Sequence, residues 1–388
     1  MSGRPRGRPA GTPSSTSRTS VSSVTITDVL LLLGGFVLLV SGGEVLVRGA
    51  SGVARAVGLS PLVVGLTVVS FATSAPELAV TLDAAASGSP GLAVGNVVGS
   101  NIANILLVLG VSALVTPLVV RSRVVKLDVP VMIALSVAFL VMALDGAIST
   151  MDGALLLAAL VLYVVRAIVS SRRSSRPDVH GSEDQPAQRP VWLNLLLVAA
   201  GVGLLVLGAD WLVGSATSIA GALGISDLVI GLTVVAIGTS LPELATSIIA
   251  VRRGERDLAV GNVVGSNIFN IGSVLGLTAL ITPGGVPVAE PAIGFDIPFM
   301  VAVALAVLPV VYTHAAVGRW EGGLFVGYYI AYTGYLLLDS AEHEALPRFS
   351  AVMLGFVVPL TVLTLGALSL AEYRRRTSRP ALPRGPSR

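Results

Sequence analysis

The chain has 388 residues, 53% of them hydrophobic and only 12% charged, with a net charge of +3 and no cysteine. A soluble domain wets its surface with about 25% charged residues, so most of this surface must face lipid. Without cysteine there is no disulfide framework, thiolate metal site or thiol nucleophile. The three histidines, His180, His314 and His343, lie outside the apolar stretches and exclude a histidine-ligated metal site. No basic stretch is interleaved with aromatics, which excludes a nucleic-acid surface.

In chain order, residues 1–26 are rich in Ser, Thr, Pro, Gly and Arg and read as a disordered basic tail. The apolar stretch behind them lacks a small-residue cleavage pattern, which argues against a cleaved signal peptide. A helix crosses a hydrocarbon core of about 30 Å with about 20 apolar residues. Such stretches run over about 27–49, 60–86, 92–117, 127–146, 151–170, 191–222, 226–251, 257–282, 293–313, 320–339 and 348–371, which makes eleven spans. They group into a first unit of five spans (27–170), a polar linker (171–190), a second unit of five (191–340), an additional C-terminal span (345–372) and a basic tail (373–388).

Basic residues in short loops set orientation. Loops after odd-numbered spans hold Arg121, Arg123, Lys126, Arg172, Arg173, Arg252, Arg253 and Arg256, and Arg374 to Arg376 follow the last span. Loops after even spans are neutral or acidic, Arg348 apart. The expectation is a cytoplasmic 171–190 loop and C-terminus. The N-terminal tail, with Arg4, Arg6, Arg8 and Arg18, then lies outside, against the rule locally.

Residues 58–114 align without a gap on 224–280 at a constant offset of 166, with about 35 of 57 positions identical. GLTVV (65–69, 231–235) and LAVGNVVGSNI (92–102, 258–268) are the same in both copies. Five spans separate the copies, an odd number, so they enter the membrane in opposite directions. The fold expected is an all-α polytopic membrane protein with two inverted-topology five-helix repeats plus one extra C-terminal helix. Inverted repeats mark secondary transporters, with the substrate site at the midplane between them. The competing reading is a duplicated scaffold with no transport role.

Each copy carries a polar cluster inside an apolar helix: SFATSAPEL (70–78) and AIGTSLPEL (236–244). Pro76 and Pro242 lack an N–H and free backbone oxygens one turn back, around Ala72 and Thr73 and around Gly238 and Thr239. Lipid tolerates free backbone oxygens only where they line a cavity. Thr73, Ser74, Thr239 and Ser240 add hydroxyls, and Glu77 and Glu243 add carboxylates. On the next span Ser100 and Asn104, four residues apart, share a helix face, and Ser266 and Asn270 repeat them. Gly95, Gly99, Gly261 and Gly265 allow close helix approach.

A buried salt bridge would explain the glutamates, but no Lys or Arg lies deep in any span. An unpaired carboxylate at mid-bilayer is costly, so each glutamate must bind a metal ion, bind a proton or stay neutral. Two carboxylates with carbonyl and hydroxyl oxygens make an all-oxygen site, which suits hard cations such as Ca²⁺ and Na⁺. The hydroxyls could instead bond back to their own helices, and the asparagines could be interhelical glue. Glu44 reads as a surface ion pair with Arg48; Asp210 is its weak counterpart. Asp83 and Asp128 read as loop-edge charges.

TSAPEL, TSLPEL and the paired GNVVGSNI blocks resemble the sodium/calcium exchanger family, within the wider cation/calcium exchangers. The resemblance is strongest over 58–114 and 224–280. It implies an antiporter that exports Ca²⁺ by importing Na⁺, with a calcium site of Glu77, Glu243 and the backbone oxygens of Thr73 and Thr239. It implies sodium sites that add oxygens of Ser70, Ala236, Ser74, Ser240, Ser100 and Ser266, with Asn104 and Asn270 as a central polar pair. The chain departs from the family in three places. Asn270 stands where many members carry an acid, Ala72 replaces a usual glycine, and the eleventh span exceeds the ten-helix plan. The implied partners are Ca²⁺ and Na⁺ as cargo and the lipid bilayer, with no resident cofactor, nucleic acid or protein partner, in a multi-pass protein of a prokaryotic plasma membrane.

Three rivals remain. A proton-coupled antiporter for Ca²⁺ or another divalent ion is the nearest, since a glutamate can carry H⁺; that branch usually reads GNA-E. A gated cation channel would favour symmetric parallel subunits and rings of charge. An enzyme lacks support, because no nucleophile–base pair or metal motif is present.

Overall fold

A computed structural model describes residues 24–174, 189–223, 225 and 236–377. The first repeat contains α1 (Ile26–Val57), α2 (Pro61–Thr73), α3 (Ala75–Ala86), α4 (Pro90–Val115), α5 (Val124–Ala143) and α6 (Thr150–Ser174). The second contains α7 (Val191–Ala222), α8 (Ala236–Gly238), α9 (Leu241–Arg252), α10 (Arg256–Ile281), α11 (Ala292–Tyr312) and α12 (Arg319–Ser340), followed by α13 (Leu346–Leu368).

Among the described residues eight helices are long and apolar enough to cross a membrane, and the pair α2–α3, bent by 41°, makes a ninth. Eleven spans were expected. The span at 226–251 begins in residues outside the description. α12 has 22 residues, but its four glycines and four tyrosines dilute its apolar character. Exposed Leu30, Phe36, Leu162, Trp192, Leu354 and Leu363 give the outer face an apolar coat, as lipid requires.

Several expected boundaries move. A capping box starts α1: the Asp28 N–H donates to Thr25 Oγ1 at 3.2 Å and the Thr25 N–H to Asp28 Oδ2 at 2.9 Å. The 1–26 tail therefore stops at Thr25, and its residues 1–23 lie outside the description. The 171–190 loop loses its first four residues to α6, and 175–188 are not described. The helix of α13 runs on past Leu368 to Thr377, so the C-terminal tail begins at 378, again outside the described residues.

The chain is not purely helical. β1 (Leu118–Val119) pairs antiparallel with β4 (Ala316–Val317), and β2 (Ala147–Ile148) with β3 (Val286–Pro287). These two-residue strands join the repeats reciprocally. The end of α4 meets the end of α11 at one face, and the end of α5 meets the end of α10 at the other.

α1 and α7 form the longest helix–helix contact. Their glycines explain it. A Cβ on Gly35 would lie 2.8 Å from the Gly208 oxygen, and one on Gly42 would lie 2.8 Å from the Leu205 nitrogen. A Cβ on Gly201 would lie 2.6 Å from the Leu46 nitrogen. Small residues let backbones touch where lipid offers no hydrophobic drive for association. The same offset of 166 relates Gly35 to Gly201 and Gly42 to Gly208, so the contact is between equivalent faces. α13 lies against α11 and α12, where Tyr328 Oη donates to Thr361 Oγ1 at 2.7 Å.

Candidate cation site

Each glutamate stands just past a helix break. Ser74, at φ −82° and ψ 4°, separates α2 from α3, and Ser240, at φ −89° and ψ 3°, precedes α9. Pro76 and Pro242 then fall at the second position of the new helix, where a missing N–H is tolerated. Neither proline can donate to the carbonyl four residues back, at Ala72 or Gly238. Glu77 and Glu243 sit in the first turns of α3 and α9, near the positive end of the helix dipole.

The partner helices cross between repeats. α10 packs on α2, and α4 packs on α8. α3 meets the 270–275 segment of α10, and α9 meets the 104–109 segment of α4. Both segments are π-helical and begin at Asn104 and Asn270. A π-bulge rearranges one turn of backbone bonding and often marks a functional site.

The expected site residues come together with few bonds. Glu77 is 1% exposed and Glu243 0%, and none of their four carboxylate oxygens has a hydrogen-bond partner. Ser74, Ser100, Ser240 and Ser266 are buried with unpartnered hydroxyls, and both amide atoms of Asn104 and of Asn270 are unpartnered. Buried polar atoms are ordinarily hydrogen-bonded. A two-fold set of orphaned oxygens around two carboxylates is therefore the candidate cation site. No ion pair among the described residues reaches either glutamate, and no third acid or histidine joins them.

The other expected residues differ. Ser70 is buried, but its hydroxyl is spent on the oxygens of Gly65 at 2.7 Å and Asn262 at 3.0 Å. Thr73 Oγ1 donates to Asn262 Oδ1 at 3.3 Å, with the Ser70 oxygen at 3.5 Å as its alternative. Thr239 is half-buried, and Ala236, in α8, has only its backbone to offer. The Glu44–Arg48 pair is present at 2.8 Å, and Asp83 is exposed. Asp128 corrects the expectation of a loop-edge charge. It is fully buried in α5, where Tyr163 Oη donates to it at 3.0 Å and Arg123 stands 3.8 Å away.

Sequence reading passed over Asn96 and Asn262, each 19 residues after a site glutamate. Asn96 Nδ2 donates to the Glu77 main-chain oxygen at 3.2 Å and to Thr81 Oγ1 at 2.9 Å. Asn262 Nδ2 donates to the Glu243 main-chain oxygen at 3.5 Å and to Ser247 Oγ at 3.1 Å. Their presence inside the identical block 92–102/258–268 was the available signal.

The sodium/calcium exchanger protein family matches the chain over residues 27–169 and 193–338. The chain is 40% identical over 321 residues to the putative antiporter CaxA of Alkalimonas amylolytica, covering 81% of this chain and 100% of that protein. It is 33% identical over 347 residues to the sodium/calcium exchanger MaX1 of Methanosarcina acetivorans, covering 80% and 98%. Among solved structures the sodium-calcium exchanger NCX_Mj superposes with a TM-score of 0.67 at 33% identity, covering 79% of this chain and 97% of that one.

Proposed function

The chain belongs to the sodium/calcium exchanger family, a multi-pass membrane transporter rather than an enzyme, and from that premise we propose that it exchanges Na⁺ for Ca²⁺ at the Glu77–Glu243 site. The observation that carries this reading is the two-fold set of buried, unpartnered oxygens around the two glutamates. Ca²⁺ takes six to eight oxygen ligands. Four carboxylate oxygens, the hydroxyls of Ser74, Ser100, Ser240 and Ser266 and the Thr73 and Thr239 carbonyls supply enough for one Ca²⁺ or for Na⁺ ions at neighbouring positions. Asn104 and Asn270 leave the site with two central charges.

Transport proceeds by alternating access. Bare carboxylates are costly in a dry passage, so the empty site resists the switch between its two open forms. Ca²⁺ neutralises both glutamates at once, and Na⁺ ions do the same, so either loaded state can switch. Obligatory exchange follows from this cost. The arginine-rich 252–257 loop supports a cytoplasmic position for that face, with the even-numbered ends outside.

Tracer Ca²⁺ uptake into proteoliposomes tests the reading. Uptake driven by an outward Na⁺ gradient is expected. Uptake driven only by a pH gradient would replace it with the proton-coupled reading, and uptake that needs no counter-ion would replace it with a channel.

A further inference from the structure

Asn96 and Asn262 hold equivalent positions but make different bonds. Asn262 is fully buried. Its Nδ2 holds the α9 glutamate segment, as described above. Its Oδ1 is the nearer acceptor of Thr73 Oγ1, at 3.3 Å against 3.5 Å to the Ser70 oxygen, and its main-chain oxygen lies 3.0 Å from Ser70 Oγ, whose shorter bond, 2.7 Å, goes to the Gly65 oxygen of its own helix. One residue thus clasps its own repeat's glutamate helix and the other repeat's broken helix. Asn96 makes only the first half of this set, to Glu77 and Thr81. The counterpart of Thr73 is Thr239, and no bond joins Thr239 to Asn96 among the described residues. The counterpart of Ser70 is Ala236, which has no hydroxyl.

The outer helices are uneven in the same sense. α1 packs along α9, where a Cβ on Gly43 would sit 3.5 Å from the Ala245 oxygen. The equivalent packing of α7 on α3 is nearly absent. Ala245 is half-covered, whereas its counterpart Ala79 is exposed. α1 thus covers the α9 flank of the site and α7 leaves the α3 flank uncovered, while the site's own oxygens are buried.

We propose that Asn96 and Asn262 are positioning residues that pass closure from one flank of the site to the other, with Asn262 clasping Thr73 in this state and Asn96 clasping Thr239 in the opposite one. The proposal rests on the antiport reading, which requires a second state. An asparagine amide has two donors and one acceptor group. The donors serve the glutamate helix in both repeats and keep each carboxylate in place through the cycle. The acceptor is the part that changes hands. Exchanging the conformations of two inverted repeats turns one open state into the other, and that exchange brings Thr239 to Asn96 as Thr73 leaves Asn262.

The chain has no cysteine, so single reporters need no prior mutation. Full-length Ala79→Cys and Ala245→Cys proteins, in proteoliposomes free of Na⁺ and Ca²⁺, are labelled with a membrane-impermeant maleimide and their rates compared. Ala79→Cys is expected to react faster. Asn262→Ala lowers the Ala79/Ala245 rate ratio and Asn96→Ala raises it, each about fivefold for one hydrogen bond, a reversal that damage to folding does not produce. An unchanged ratio in both variants, or movement in the same direction for the two, overturns the proposal. Labelling needs no transport, so the expected ratios without Na⁺-driven Ca²⁺ uptake would overturn the functional reading alone.

Discussion

The loops joining α3 to α4 and α9 to α10 occupy the same place in the two repeats and share almost no chemistry. Residues 252–257, RRGERD, are tied to the first repeat at three points. Arg253 Nε donates to Glu44 Oε2 at 2.7 Å, with its Nη2 on Oε1; Ser51 Oγ donates to Glu255 Oε1 at 3.1 Å; Arg121 pairs with Asp257 at 2.5 Å. Residues 86–91, ASGSPG, carry no charge. Their turn is closed locally, with Ser87 N–H on the Asp83 oxygen, Ser89 N–H on the Ala84 oxygen and Ser87 Oγ donating to the Ala84 oxygen at 3.1 Å. Yet the residues that follow each loop, 92–102 and 258–268, are identical. The two copies agree along the helices that carry the candidate site and differ in the loops that lead into them. Symmetry belongs to the candidate site, and asymmetry belongs to the loops.

The largest expected effect tests the symmetric half of that statement. Glu77→Gln and Glu243→Gln each remove one of two charges that have no substitute nearby. Each is expected to lower Ca²⁺ transport about 100-fold, the worth of losing a charged partner at about 3 kcal/mol, and to lower it about equally. Transport that survives in the double variant would remove the two-carboxylate site, and a large inequality would break the symmetry. Next in size is the α1–α7 contact. Gly201→Val places methyl groups against the Leu46 backbone, whereas a Cβ on Gly203 meets nothing within 4 Å. Overpacking costs about 1–3 kcal/mol. Thermal unfolding in detergent should fall for Gly201→Val and for its counterpart Gly35→Val, and hold for Gly203→Val.

Much of this was legible in the chain because repetition doubles every signal. Glu77 and Glu243 stood out because each lies in an apolar span with no basic partner, a conflict visible from composition alone. The breaks at Ser74 and Ser240 were legible because a proline inside an apolar helix has a local consequence. Asn96 and Asn262 were hidden by their surroundings, since a lone asparagine among valines and glycines does not reveal which helix its amide will reach. The π-turns at Asn104 and Asn270 leave no local trace either. Asp128 was misplaced because its burial depends on Tyr163, 35 residues away. The glycine seam between α1 and α7 was readable only after the two helices were known to be partners. What sequence conveys here is local chemistry and its duplication; what it withholds is which duplicated surface meets which.

The smallest expected effect tests the asymmetric half. The Glu44 and Arg253 side chains are 35% and 33% exposed, so solvent screens their attraction and the pair is worth about 0–1 kcal/mol. Removing it with Arg253→Ala should open the flank beside α9 only slightly, raising maleimide labelling of Ala245→Cys by about two- to fourfold at low ionic strength. The increase should vanish at high salt, because screening already weakens the pair in the parent protein. The converse change sharpens the comparison further. Ser87 is the counterpart of Arg253, and exposed Asp210 is the counterpart of Glu44, so Ser87→Arg rebuilds the ion pair on the uncharged flank. It should slow labelling of Ala79→Cys by a similar factor and with the same salt dependence. If Ser87→Arg leaves Ala79→Cys unchanged while Arg253→Ala alters Ala245→Cys, then α7 cannot reach α3 as α1 reaches α9. The sidedness of the protein would then lie in the packing of its outer helices rather than in the charges of its loops.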